Sequence, residues 1–191
     1  MAFMAVAYED LPVREDGFTV EDLAGMPDDG RRYELVDGVL LVSPAPRWEH
    51  QRACLELAIA FTNACPADLV AFAPTPDVRR GERTSVQPDV CVVRRADLVR
   101  GQGYLAVPVL AVEVLSPSSV GVDRLLKRDV YARLGVPHYW IVDADKPSIT
   151  TLALRDGESE YAETTTVHDD QTLTVTDPFP VAINPAQLVL A

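Results

Sequence analysis

The chain has 191 residues, 48% hydrophobic and 24% charged, enough for one domain with a sizeable core. Its net charge of −12, from 17 basic and 29 acidic residues, argues against a protein that coats nucleic acid non-specifically, because such binding rests on neutralising phosphates. No apolar run approaches the roughly 20 residues that span a bilayer, residues 1–16 lack the pattern of a secretory signal, and Cys54, Cys65 and Cys91 match no zinc spacing. These features point to a cytoplasmic protein with reduced, mostly buried thiols and no membrane association.

In chain order, residues 1–17 read as a loose arm preceding a single domain over 18–191. Thr19-Val20-Glu21-Asp22 has the form of a capping box opening a short helix. Tyr33-Glu34-Leu35-Val36 and Val39-Leu40-Leu41-Val42 flank Asp37-Gly38, the pair favoured in a two-residue hairpin turn. Residues 48–64 carry helical spacing, with Trp48, Leu55, Ile59 and Thr62 on one apolar line, Cys54, Leu57, Ala58 and Phe61 beside it, and His50 at the edge of that face; Pro66 ends the helix.

Short strands follow at 69–73 and 76–80, the second placed at a sheet edge by its proline. Two stronger strands are expected at 86–94 and 108–115. Hydroxyls in Ser116-Pro117-Ser118-Ser119 suit the cap of a helix over 122–134, stopped by Gly135 and Pro137. A strand at 138–143, a hairpin around Asp156-Gly157 and a short strand near the end complete a mixed α/β sheet flanked by helices. Tyr131, Tyr139 and Trp140 read as core packing.

Four polar residues interrupt these apolar segments: Glu34, Asp89, Glu113 and Lys127. A buried carboxylate without a partner costs several kcal/mol or neutralises, so each demands an account. If 86–94 and 108–115 pair antiparallel, Asp89 lies beside Glu113, and a divalent cation would relieve their repulsion. Magnesium suits such a site, with manganese as a substitute, because it takes one or two carboxylates and keeps waters that a phosphate can replace. By this logic, removing one carboxylate stabilises the metal-free protein. Lys127 shares a helical face with Asp123, Tyr131 and Leu134, directed toward the strand ends. There it could assist a metal-bound water, with Glu34 and His50 supporting.

The hairpin Tyr33-Glu34-Leu35-Val36-Asp37-Gly38, His50, Gln87-Pro88-Asp89-Val90, Glu113-Val114-Leu115-Ser116, and Lys127 with the stretch from Tyr131 to Trp140 resemble the Uma-type restriction endonuclease family of the PD-(D/E)XK nuclease superfamily. The resemblance spans about 18–190. It implies a restriction-endonuclease-like core with an N-terminal hairpin and a C-terminal hairpin extension, and Pro88-Asp89 with Glu113 as the acidic motif. The position two after Glu113 is Leu115, where the superfamily motif has lysine, and the family reading moves that lysine to Lys127.

The expectation is a magnesium-dependent endonuclease hydrolysing DNA, working as a homodimer. Catalytic roles fall to Asp89, Glu113, Lys127, Glu34 and His50, and metal ligation to Asp89 and Glu113. Two alternatives stay open: a non-catalytic module on the nuclease fold, and a hydrolase of a small phosphoester such as a nucleotide. For Glu113, an ion pair with Arg124 or Lys127 is the plainer reading.

Overall fold

Asp37 and Gly38 both take positive φ, 51° and 85°, as the expected type I′ turn requires, and they join β1 (Arg32–Val36) to β2 (Val39–Ser43). The computed structural model containing this hairpin describes residues 15–105, 107–116 and 122–189. Most of the loose arm expected over 1–17 lies outside the described residues. Where description begins, the Asp16 carbonyl accepts from Arg83 Nη2 at 2.7 Å and the Phe18 amide donates to Gly38 at 2.8 Å. Helix α1 (Val20–Leu23) opens with the predicted capping box, the Thr19 amide donating to Asp22 Oδ2 at 2.8 Å.

Helix α2 (Trp48–Ala64) has the predicted bounds but a different buried face. His50, Ala53, Leu57 and Phe61 point inward, whereas Trp48, Leu55 and Ile59 are 60%, 50% and 46% exposed. Strands β3 (Leu69–Phe72), β4 (Asp77–Arg80), β5 (Thr84–Val86) and β6 (Val90–Arg94) follow, then β7 (Tyr104–Leu105) and β8 (Leu110–Leu115). The strand expected over 86–94 is therefore two strands in two different sheets. Pro88, which has no amide hydrogen to give to a ladder, sits in the break.

A π-helical turn, Val122–Lys127, leads into α3 (Arg128–Leu134). Gly135 ends α3 in the left-handed region at φ 79°. The proposed hydroxyl cap at 117–119 lies outside the described residues. The chain closes with β9 (His138–Asp143), β10 (Ser148–Ala153), β11 (Ala162–His168), β12 (Leu173–Val175) and β13 (Val181–Ile183).

Among the described residues these strands form a five-stranded sheet, β2-β1-β5-β4-β7, a six-stranded sheet, β11-β10-β9-β8-β6-β3, and the small hairpin β12-β13. Strand β4 lies between β5 and β7, not at the edge that Pro76 suggested. The larger sheet is antiparallel except where β8 runs parallel to β9.

Side-chain alternation sorts β8 into two faces. Leu110, Val112 and Val114 pack with Leu57 and Phe61 of α2, and Ala111 packs with Val130, Tyr131 and Leu134 of α3. Glu113 shares the parity of Ala111, so it is directed toward α3 and the smaller sheet. In the core under α2, Leu57, Phe61, Leu110 and Val112 show no exposed surface, each contributing about 1.5–3 kcal/mol by burial. Cys91 is fully buried, and Cys54 and Cys65 are partly buried free thiols. No helix among the described residues is long and apolar enough to cross a membrane.

Candidate active site

The tripeptide 87–89 carries the chain from the smaller sheet to the larger one, and the polar residues gather at this seam. Strands β6 and β8 pair antiparallel as expected, with Val90 opposite Val112, which brings Asp89, one residue before β6, to the end of β8 that carries Glu113. Asp89 is tied closely to β8: its amide donates to Val112 O at 3.0 Å, and its Oδ2 accepts the Val114 amide at 2.8 Å. The carboxylate thus stands in for a strand carbonyl at the end of the ladder.

The same Oδ2 lies 3.1 Å from His50 Nε2, and Oδ1 accepts from Arg32 Nη1 at 2.7 Å. Burial pushes the Asp89 carboxyl up. The His50 hydrogen bond and the Arg32 charge outweigh that and hold it well below the usual carboxylate range. Its ionised form is the stable one at neutral pH.

Glu113 sits deeper, with no exposed surface. Its Oε1 accepts from Lys127 Nζ at 2.9 Å and from the Tyr131 hydroxyl at 2.7 Å. Lys127 Nζ also lies 3.0 Å from Glu34 Oε1, which accepts the Gln87 amide at 2.7 Å. Lys127 therefore joins a carboxylate of the smaller sheet to one of the larger sheet. The ion pair anticipated for Glu113 is made by Lys127; the Arg124 side chain lies outside the described residues.

All five predicted residues meet here, Asp89 and His50 on one side and Glu113, Lys127 and Glu34 on the other, with Arg32 reaching both. Arg32 was missed. Its Nε lies 3.7 Å from Glu34 Oε2 and its Nη1 also donates to Gln87 O at 3.2 Å. Burial works against its charge, but Asp89, Glu34 and Glu113 more than compensate and raise its pKa further. The signal was present: Arg32 and Glu34 are two apart on a strand, hence on one face. Tyr131, read as packing, is buried as expected, but its hydroxyl serves Glu113; burial and the nearby Glu113 and Glu34 charges push its pKa well up.

A cleft of about 800 Å³ opens over the Asp89 side, with Arg32, Asp89 and His50 at its base and Arg47 among its lining residues. Cys54 also lines it, with Sγ 3.6 Å from His50 Nδ1. Burial and the Asp89 and Glu113 charges push that thiol far above the usual range, which opposes a nucleophilic role.

Among the described residues no three His, Cys, Asp or Glu side chains form a ready cage for a metal. A magnesium ion needs less, one or two carboxylates with water and substrate phosphate completing its shell. Asp89 and Glu113 offer that all-oxygen donor set on adjoining strand ends. Among the described residues Arg32 is the partner of Asp89 Oδ1, which leaves that oxygen a second lone pair. The residues present fit a hard cation.

No curated protein matches the chain. A solved structure, described as a putative nuclease belonging to DUF820 from Anabaena variabilis ATCC 29413, superposes with a TM-score of 0.69 at 18% identity. The match covers 90% of this chain and 97% of that one. It supports the mixed α/β, restriction-endonuclease-like fold expected from the sequence. A family model described as Uma2, putative restriction endonuclease, matches residues 20–189, and by that match the chain belongs to the Uma2 family.

Proposed function

We propose that the protein is a metal-dependent endonuclease that hydrolyses DNA phosphodiester bonds. Membership of a restriction endonuclease family gives the reaction class. The observation that carries the finer reading is the seam, where ionised Asp89 lies at the end of β8 that carries Glu113 and Lys127 Nζ lies 2.9 Å from Glu113 Oε1.

Asp89 and Glu113 would hold a divalent cation, magnesium or in its place manganese. When bound, that ion supplies an acidified water and neutralises charge on the phosphoryl oxygen. The chain's own residues do the remainder. His50 and the Val114 amide fix the Asp89 carboxylate in its ionised, oriented form. Lys127 keeps Glu113 oriented and adds positive potential where charge develops on the phosphoryl group. Glu34 holds Lys127 from the opposite sheet. Arg32, at the cleft base, offers a guanidinium whose fork matches phosphate geometry.

Calorimetric titration of magnesium and manganese into wild type and Glu113→Gln tests the reading, with plasmid nicking followed in parallel. Metal binding and nicking in wild type, both lost in the variant, is the expected result. A wild type that neither binds nor nicks overturns it.

Two observations favour second readings. Glu113 and Lys127 are 0% and 1% exposed and bonded to each other, as in a purely structural ion pair on a non-catalytic module. The cleft volume also suits a small phosphoester, since ligand pockets run about 300–1,000 Å³. We further propose a cytoplasmic homodimer, since two sites serve double-strand cleavage. The exposed apolar line Trp48, Leu55 and Ile59 along α2 supports pairing. Light scattering should give twice the 20.9 kDa chain mass, and a monomer removes this part.

A further inference from the structure

We propose that Asp77 is a positioning residue of the candidate site, acting through the Gln87 side chain on Arg32 and Glu34. This rests on the endonuclease reading and adds to it a residue that stands outside the reacting groups.

Strands β4 and β5 pair antiparallel, and their ladder ends at Val78 opposite Val86. One step further, side chains take over, and Gln87 Nε2 donates to Asp77 Oδ1 at 2.6 Å. Asp77 is itself firmly held. Its Oδ2 accepts from the Ser85 hydroxyl at 2.9 Å and from Arg79 Nη2 and Nε at 2.6 and 3.1 Å. The Asp77 side chain is only 15% exposed, and a carboxylate so covered is costly unless donors meet it, as these do. A hydrogen bond to a charged acceptor is about twice as strong as one between neutral groups. The Gln87 side chain is therefore tied to a well-anchored point of the smaller sheet.

The Gln87 backbone then serves both halves of the site. Its amide donates at 2.7 Å to Glu34 Oε1, the oxygen that lies 3.0 Å from Lys127 Nζ. Its carbonyl accepts at 3.2 Å from Arg32 Nη1, the nitrogen that also donates to Asp89 Oδ1 at 2.7 Å. The next carbonyl, that of Pro88, accepts from the Thr75 hydroxyl, two residues before Asp77. Residues 75 and 77 thus restrain the seam on either side of the Gln87–Pro88 bond. A rotation of the Gln87 backbone would draw Glu34 and Arg32 off their partners together. Asp77 opposes that rotation from the far side of Gln87.

Amide hydrogen exchange followed by NMR in metal-free protein tests the inference without requiring catalysis. Gln87→Met keeps the side-chain length and the backbone groups but has nothing to donate to Asp77. The amides at positions 87 and 114, which rest on Glu34 and Asp89, should lose about tenfold in protection, the order of one hydrogen bond. The Val109 and Val136 amides, bonded to Val92 O and Tyr131 O at 2.7 and 3.0 Å, should keep theirs. Gln87→Lys, whose ammonium can again donate to Asp77, should restore protection at 87 and 114. Magnesium affinity, measured by calorimetry, should fall about tenfold in Gln87→Met. Equal loss at all four amides reduces the Asp77–Gln87 contact to a support of the fold and overturns the proposal. So does unchanged protection at 87 and 114, and so does a wild type that binds magnesium no more tightly than Gln87→Met. Loss confined to 87 and 114 in a protein that binds no magnesium upholds the positioning and fails the endonuclease reading.

Discussion

Asp89 shows how one carboxylate can be both a chemical group and a piece of backbone substitute. With Oδ2 it accepts the Val114 amide and the His50 ring, and with Oδ1 the Arg32 guanidinium. The sequence suggested two repelling carboxylates, so that deleting one would stabilise the metal-free protein. The observed partners reverse that expectation. Asp89→Asn gives up the charge that Arg32 answers and disturbs the Val114 contact, so it should cost about 1–3 kcal/mol in urea unfolding.

The pH dependence follows from the same contacts. The folded-state pKa of Asp89 lies below its ordinary 3.8, so its stabilisation is complete above that value and is lost as pH falls through the lower folded one. The stability gap between wild type and Asp89→Asn should therefore be constant near neutrality and narrow below about pH 4. A gap that widened in acid would show that the carboxyl is instead held protonated.

At the level of elements, some residues were readable and others were not, for physical reasons. Glu113 stood out because apolar neighbours on both sides of it in one strand imply burial. Lys127 was placed by arithmetic, since it and Tyr131 are one helical turn apart, and both reach Glu113 Oε1. Arg32 carried no such mark, because an arginine at a hairpin start looks like any solvated charge. The division of 86–94 between two sheets hid behind a run of valines that fits a single strand equally well, with Pro88 as its one clue.

In α2 the apolar residues cover more than one face: the sequence centres them on the line through Trp48 and Ile59 with Leu57 and Phe61 beside it, whereas the sheet covers the line through Ala53, Leu57 and Phe61. Phe61, which meets Trp140 at 5.6 Å and Phe179 at 5.7 Å between ring centroids, should cost about 3–5 kcal/mol as Phe61→Ala. Thr62→Ala, one residue on and exposed, should stay within about 0.5 kcal/mol. Equal losses would mean that the helix is rotated from the position described.

For the whole molecule, the candidate site belongs to neither sheet alone. Glu34 comes from β1 of the smaller sheet and Glu113 from β8 of the larger, and the backbone between the sheets passes through Gln87, Pro88 and Asp89. This arrangement explains why an acidic protein can place three carboxylates together: Arg32 and Lys127 supply the compensating charge from different elements. The cleft likewise draws on both, with Arg32 and Ser43 from the smaller sheet and Asp89 and Ser116 beside strands of the larger.

Lys127, at 3.0 Å from Glu34 and 2.9 Å from Glu113, is the stitch that closes that seam. Its removal leaves two buried carboxylates facing each other across the join, so Lys127→Met should lose about 3–5 kcal/mol and unfold at lower urea. Lys127→Met combined with Glu34→Gln, which removes one of the stranded charges, should recover part of the loss, and no recovery would place the cost elsewhere. Evolution therefore cannot retire this lysine cheaply: a lineage that abandons its chemistry must still keep the cation or rebuild the join, so its presence in a relative records an intact seam before it records an intact enzyme.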